Sequence, residues 1–502
     1  MRTNPVGEQA HIRSYRPGGP RYDPEFPSTK LHHYENLILL CPTHHAKVDA
    51  IGGAEFTVDA LIEMRETHET QEKRREEVDT TIRKYTAQQY GVDDKVLFEQ
   101  VDLYGPSVDS MFVDVPFACR TDANVAELMQ RIAEESPGDV DASNGADGNI
   151  VTGAAQALLH PDWAGNALLV GGPGQGKSTL LQYVCQFHRA RLLGREEYSG
   201  QEQQLSRITK VQRVPIRLDL RKYTLWASCA QRNAKTEKRH GKGKGKADSP
   251  RWPTIEEYIT DEIARRSGGR VFSVEDLGFL VANRAVLVAL DGLDEVANLK
   301  DRETVNSQIV DTQRRLGIDA VDLMVLVATR PGGTTSELWS SDKFPRLDLR
   351  RLTHGLRVQY LQRWAKIAEL TTQATEKLQR TFMENQNVPH IRELASYPMQ
   401  LAILLHLLQR RQLLPQRRTE LYGEYFKTFL DREQSEDKEP LLAEERRVIE
   451  DIHSYIGWYI QTQARRAKVP DRSSATNSRS CSVNTWRVAQ TAKSSPRSCF
   501  RH

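Results

Sequence analysis

NALLVGGPGQGKST, residues 166–179, decides the fold. An apolar run, NALLV, enters GGPGQGKST, and an apolar helical pattern, LLQYVCQF, follows. The spacing is G-x-x-x-x-G-K-[ST], with Gly171, Gly176, Lys177 and Ser178 at the fixed positions. Glycines let consecutive backbone N–H groups turn inward around an anion, and the helix that follows adds the positive end of its dipole. The expectation is a strand, a phosphate-cradling loop and a helix start, with Gly171, Gly172, Pro173, Gly174, Gln175, Gly176 and Thr179 in the cradle. Lys177 would reach the β and γ phosphates, and the Ser178 hydroxyl would ligate Mg²⁺. A dinucleotide-binding reading of GPGQG fails, because the spacing and the Lys-Ser pair favour this loop.

Three more apolar runs lie on the C-terminal side: VPIRLDL (214–220), AVLVALD (285–291) and DLMVLVATR (322–330). Continuous apolar strands separated by helical patterns imply a parallel sheet buried on both faces. The run AVLVALDGLDEV ends in three carboxylates within five residues. Folding gains nothing from that repulsion, so the cluster reads as chemistry. Asp291 at the strand end would hold Mg²⁺ through water beside the loop. Asp294 or Glu295 would orient or deprotonate an attacking water.

The rest of the chain sets bounds. It has 502 residues, room for two to four domains. Its net charge is +3, so no global basic field argues for nucleic acid. The six cysteines (41, 119, 185, 229, 481 and 499) form no CxxC pair, which argues against a disulfide framework. No signal-peptide h-region and no run near the ~20 apolar residues of a membrane span occurs, so a cytoplasmic location without membrane contact is expected.

Organisation follows composition. The charged stretch 65–85 reads as an exposed helix, SMFVDVPF (110–117) as a strand, and the polar stretch 137–149 as a flexible linker closing a connector over 71–149. Residues 226–251, with alternating Gly and Lys towards their end, read as a disordered basic insertion. From 356 to 438 the pattern is helical. A last helix spans about 443–466, with Ile449, Ile452, Ile456, Tyr459 and Ile460 at helical spacing. Residues 467–502 lose all periodicity. We expect a disordered tail or, more sharply, a lost reading frame near residue 468.

The nucleotide motifs resemble those of NACHT-family signal-transducing P-loop NTPases, from 166 to about 465. VLVALDGLDEV matches the family's form of the carboxylate strand. VLVATRPGG places Thr329 and Arg330 at its sensor position, and ELASYPMQLAILL supplies the lid proline, Pro398, that packs near adenine. The resemblance implies an NTPase core over 150–355, a helical lid over 356–438 and the start of a winged helix over 439–466. It also implies ATP/ADP with Mg²⁺, slow hydrolysis and self-oligomerisation on exchange of ADP for ATP.

Six of the fourteen histidines fall in residues 1–70. His11 ends a short strand, Asn36 begins the apolar run NLILL, and His45 lies at a helix start in CPTHHAKVD. This order resembles HNH endonucleases of ββα-metal fold. The resemblance implies His11 as general base, Asn36 as the residue orienting it and His45 as ligand of a catalytic Mg²⁺ or Mn²⁺. Cys41 and His44 have the spacing of half a structural Zn²⁺ site, but no upstream Cys pair precedes His11. Ala10 stands where many such sites carry an acidic ligand, and Glu8 or Asp23 are the nearby alternatives.

The expected architecture is a multidomain α/β chain: a small ββα N-terminal domain, a parallel P-loop core, an α-helical lid and an incomplete winged-helix region. The expected function is a nucleotide switch controlling a DNA-cutting head. By resemblance, bacterial proteins of this layout serve in anti-phage defence, with a sensor for an unknown trigger that this chain stops short of. The alternative is a nucleotide-gated scaffold with an inactive DNA- or protein-binding head. A helicase-like housekeeping ATPase fits poorly, since no second sheet follows the helical segment.

Overall fold

The computed structural model describes residues 7–50, 55–96, 106–119, 122–135, 152–200, 205, 207–240, 251–296, 298–332, 343–411, 417, 419–420, 422–424, 426–427, 430 and 441–466. Two compact units divide between Ile82 and Arg83.

In the first unit β1 (Glu8–His11) and β2 (Leu37–Leu40) pair antiparallel, with His11 opposite Leu37 and Glu8 opposite Leu40. α1 (Pro42–Asp49) follows, opened by a proline whose missing N–H has no helical partner to lose. α2 (Val58–Val92) is a single helix of 35 residues. Period-two alternation puts Ala10, Ile12 and Ile38 into a small core with Val48 and Leu61. The expected ββα arrangement is therefore present, and the expected helix over 65–85 lies inside α2.

The second unit is built on a seven-stranded sheet. α3 (Val108–Met111) leads to β3 (Pro116–Ala118); α4 (Ala123–Glu135), β4 (Thr152–Gly153) and α5 (Ala154–Leu158) follow. Then come β5 (Ala167–Val170), α6 (Lys177–Leu192), β6 (Val214–Asp219) and α7 (Leu220–His240). The next elements are α8 (Ile255–Arg266), α9 (Val274–Asn283), β7 (Val286–Asp291), α10 (Leu299–Gly317), β8 (Leu323–Thr329) and β9 (Arg346–Leu349). The strand order is β4-β3-β9-β5-β8-β7-β6. The five strands from β9 to β6 are parallel, and β3 and β4 are added antiparallel at one edge. All four expected apolar runs are strands, and β5 is buried along its whole length. β8 lies between β5 and β7, which brings Thr329 and Arg330 between the loop and the carboxylate strand.

A helical segment follows: α11 (His354–Ile367), α12 (Thr372–Asn385), α13 (Pro389–Leu394) and α14 (Pro398–Arg411). Trp364, Phe382, Leu401, Leu404 and Leu405 from these helices are fully buried and join the cluster that holds Leu169, Leu180 and Ala328 from the sheet side. This segment is thus packed on the core. The last helix, α15 (Leu441–Arg466), leaves Ile452 exposed and Ile449, Ile456, Tyr459 and Ile460 half-buried.

Two expectations are corrected. The strand over 110–117 is split: Ser107 caps α3 by accepting from Ser110 N, and pairing begins only at Pro116. Residues 226–240 of the expected disordered insertion belong to α7, because Leu220, Tyr223 and Ala227 are buried at helical spacing and anchor that helix. Residues 241–250, where Gly and Lys alternate, lie outside the described residues. So do the linker over 137–149 and the tail from 467.

Candidate functional sites

The phosphate loop bends as its glycines require. Gly174 and Gly176 have φ of 73° and 85°. A Cβ on Gly174 would lie 3.1 Å from Met399, and one on Gly176 would lie 3.2 Å from Val115. Gly176 caps α6, and Lys177 is its first residue. Lys177 Nζ donates to the carbonyls of Gly171 at 2.8 Å and Gly172 at 2.9 Å. The Gln175 side chain accepts from Gly172 N. Ser178 Oγ donates to Asp291 Oδ1 at 3.1 Å, although the two are 113 residues apart in sequence.

The other Asp291 oxygen, Oδ2, accepts from Arg217 Nη2 at 3.1 Å. Asp294 pairs with Arg330, Nε to Oδ2 at 2.9 Å. Burial, then Asp294 and Asp291, push the Glu295 carboxyl above its usual range. Burial lowers the Lys177 pKa, while Asp294 works the other way.

These groups surround one cavity of about 460 Å³. Pro173, Gly174, Gln175, Gly176, Lys177, Ser178, Thr179, Asp291, Asp294, Glu295, Arg330 and Pro398 all line it. Gly171 and Gly172 meet Lys177 through their carbonyls behind it. Sequence reasoning missed the apolar wall made by Met111, Phe112, Val113, Val115, Tyr360 and Met399. No motif marks these residues; they reach the cavity only because α3 and the helical segment pack across it. Arg217 was also missed, and its signal is a charge inside the apolar run VPIRLD.

The first unit gathers a second cluster. His11 Nε2 lies 3.1 Å from His32 Nδ1, with the rings edge-on at 5.1 Å and Tyr15 at 5.3 Å from His11. Burial and then His32 lower the His11 pKa; Asp49 opposes them and His45 adds to them. His45 Nδ1 is 2.8 Å from Glu8 Oε2, and its Nε2 is 3.6 Å from Asp49. Arg21 reaches the same Asp49 at 2.6 Å.

Asn36 is fully buried. Its Oδ1 accepts from Arg13 N, and its Nδ2 donates to the Arg13 and Leu31 carbonyls. These bonds hold the loop between the strands and do not reach the His11 ring. Cys41 Sγ and His44 Nδ1 are 3.0 Å apart. Among the described residues no group of three or more His, Cys, Asp or Glu is arranged to hold a metal ion, and no helix is long and apolar enough to cross a membrane.

No family model and no curated protein matches the sequence. Among solved structures, the chain is similar to the Aeropyrum pernix ORC1 protein in complex with DNA, at 16% identity and a TM-score of 0.30, covering 62% of this chain and 66% of that one. It is similar to C. elegans PCH-2 at 13% identity and a TM-score of 0.30, covering 65% and 72%. A replication initiator DnaA bound to AMPPCP and single-stranded DNA matches at 11% identity and a TM-score of 0.28, covering 68% and 91%. The loop between β5 and α6, with Asp291 and Arg330 placed around it, gives the second unit the strand–loop–helix geometry of a P-loop fold.

Proposed function

We propose that the second unit binds ATP or ADP with Mg²⁺ and hydrolyses ATP slowly as a switch, and that the first unit is a nuclease-like head under its control. The observation that carries the reading is the convergence of Lys177, Ser178, Asp291, Glu295 and Arg330 on one cavity. Ser178 Oγ and Asp291 Oδ1 are hard oxygen donors of the kind Mg²⁺ takes, with water filling the remaining positions. The ion would neutralise charge on the terminal phosphates. The apolar wall from Met111 to Val115, with Tyr360, Pro398 and Met399, fits a flat base. Asp294 is engaged by Arg330, which favours Glu295 as the group that takes the proton of the attacking water. A terminal phosphate offers Arg330 a second, charge-assisted partner, which makes it a reporter of that phosphate.

In the head, the lowered pKa of His11 keeps its imidazole neutral and able to accept a proton from water. His45 would be the ligand of a Mg²⁺ or Mn²⁺ ion, with Glu8 beside its ring at 2.8 Å, but among the described residues no set of three such donors is arranged around one point. Self-oligomerisation would bring several heads onto one DNA, and a role in defence rests on the resemblance alone. Arg21 on Asp49 and the amide of Asn36 committed to backbone favour the second reading, a scaffold whose head binds DNA or protein without cutting.

Plasmid cleavage with Mg²⁺ or Mn²⁺, with and without ATP, separates the two readings. The first expects ATP-dependent nicking that His11→Ala and Lys177→Ala each abolish. Equal nicking by His11→Ala and the unaltered chain, or none by either, leaves the scaffold reading.

A further inference from the structure

Behind the nucleotide cavity lies a buried chain of alternating charges. Arg217, in the middle of β6, gives Nη2 to Asp291 Oδ2 and Nη1 to Asp93 Oδ1, both at 3.1 Å. Asp93 follows the last residue of α2, and its Oδ2 accepts from Arg189 of α6 at 2.7 Å. Two arginines face two carboxylates, so the set is neutral. It is also incompletely satisfied: among the described residues, Arg217 Nε and Arg189 Nε and Nη2 have no hydrogen-bond partner. Burial would push the Asp93 carboxyl up, but Arg189 and Arg217 hold it below its usual range.

The same α6 that carries Lys177 and Ser178 also grips the end of α2. Gln182 Nε2 donates to the Asp93 and Lys95 carbonyls, and Gln186 Nε2 donates to that of Tyr90. The Tyr90 and Asp93 carbonyls lie at the end of a helix and need partners. Beyond Asp93, Val96 lines the cavity itself. A buried ion pair is a poor source of stability, and switching is among its better-attested uses.

We propose that Arg217 and Asp93 are positioning residues that couple Mg²⁺-nucleotide at Asp291 to the C-terminal end of α2. The proposal rests on the nucleotide reading above. Arg217 is shared between two carboxylates at equal distance. When Mg²⁺ draws charge from Asp291, the hold of Arg217 on Asp291 weakens and its pairing with Asp93 tightens. The end of α2 is then held more firmly. The last turns of α2, from Arg83 on, belong with Asp93 to the second unit, and the earlier part of the helix belongs to the first. Coupling is reciprocal, so Asp93 must in turn affect Mg²⁺-nucleotide binding without touching the cavity.

Hydrogen exchange of the full chain, with and without Mg²⁺ and ATPγS, reads the first half. Peptides covering residues 86–96 should exchange at least about threefold more slowly with Mg²⁺-ATPγS. Affinity for ATPγS, measured with Mg²⁺ and with EDTA, reads the second half. Asp93→Asn frees Arg217 for Asp291 and should weaken binding about fivefold with Mg²⁺, the low end of measured site couplings, and leave it unchanged in EDTA. Arg217→Gln releases Asp291 and should strengthen the Mg²⁺-dependent binding. A merely structural role would weaken both variants alike, in both conditions. Unchanged or faster exchange at 86–96 in a chain that binds Mg²⁺-ATPγS overturns the coupling while leaving the nucleotide reading intact. Absence of binding by the unaltered chain overturns both. If either variant does not fold, the exchange of the unaltered chain and the other variant still decide.

Discussion

Glu295 sits against Asp291 and Asp294, where burial and both carboxylates favour its protonated form. If it is the proposed proton acceptor for water it must be ionised, so the acid limb of the hydrolysis rate should lie above the ordinary value of 4.5. Glu295→Gln should keep nucleotide binding and lower the rate by about 10²–10⁴-fold, the usual contribution of a general base. A steady-state pH profile with parallel binding measurements checks both. The raised pKa also fixes the sign of the stability effect: the protonated form is favoured in the folded chain, so stability is lost as pH rises from 4.5 through the folded value. Asn36 makes a different demand. It satisfies three part-buried backbone groups, so Asn36→Ala should cost about 2 kcal/mol from stranded polar groups, measured by denaturant unfolding. A loss of activity with unchanged stability would restore the role of orienting His11 that the resemblance implies. Lys177 and Ser178 were picked out by the spacing of the loop, and Asp291 by the carboxylates that end an apolar run. Arg217 was not, since its partners stand 124 and 74 positions away in sequence.

At the scale of elements, the glycine-rich loop is held between β5, which is fully buried, and α6, which begins at Lys177. Four of the five parallel strands were readable as apolar runs, where burial on both faces leaves little alternation to misread; the fifth, β9, reads RLDL with alternating burial and was not foreseen. Their order was not readable. Only the structure shows β8 between β5 and β7, which brings Arg330 to Asp294. Edge elements were least legible, because β3 and β4 are short and take their shape from neighbours: Asp114 accepts from Ala155 N at 2.7 Å and Gln156 N at 2.9 Å. At α8 the structure shows a local cap, where Thr254 and Glu257 form a reciprocal capping box. Thr254→Ala should lower stability by about 1 kcal/mol and Thr254→Ser should not, as read from denaturant midpoints. Equal stability of all three chains would mean that packing of Ile255, Ile259 and Ile263 alone holds this helix.

The chain divides between Ile82 and Arg83 into a small unit that holds β1, β2 and α1 and a large unit that holds the seven-stranded sheet. The apolar wall of the cavity was not legible, since it joins residues 111–115 to α11 and α14, which lie more than two hundred positions further along the sequence. If the cavity is a nucleotide site, Mg²⁺-ATP must stabilise the unit that holds it, by about 2.7 kcal/mol at a hundredfold excess over Kd. Titration calorimetry of the full chain with Mg²⁺-ATP, beside Lys177→Ala, tests this most directly. The account predicts saturable one-to-one binding by the unaltered chain and none by the variant. Equal affinity in the two, or no heat from either, would contradict it.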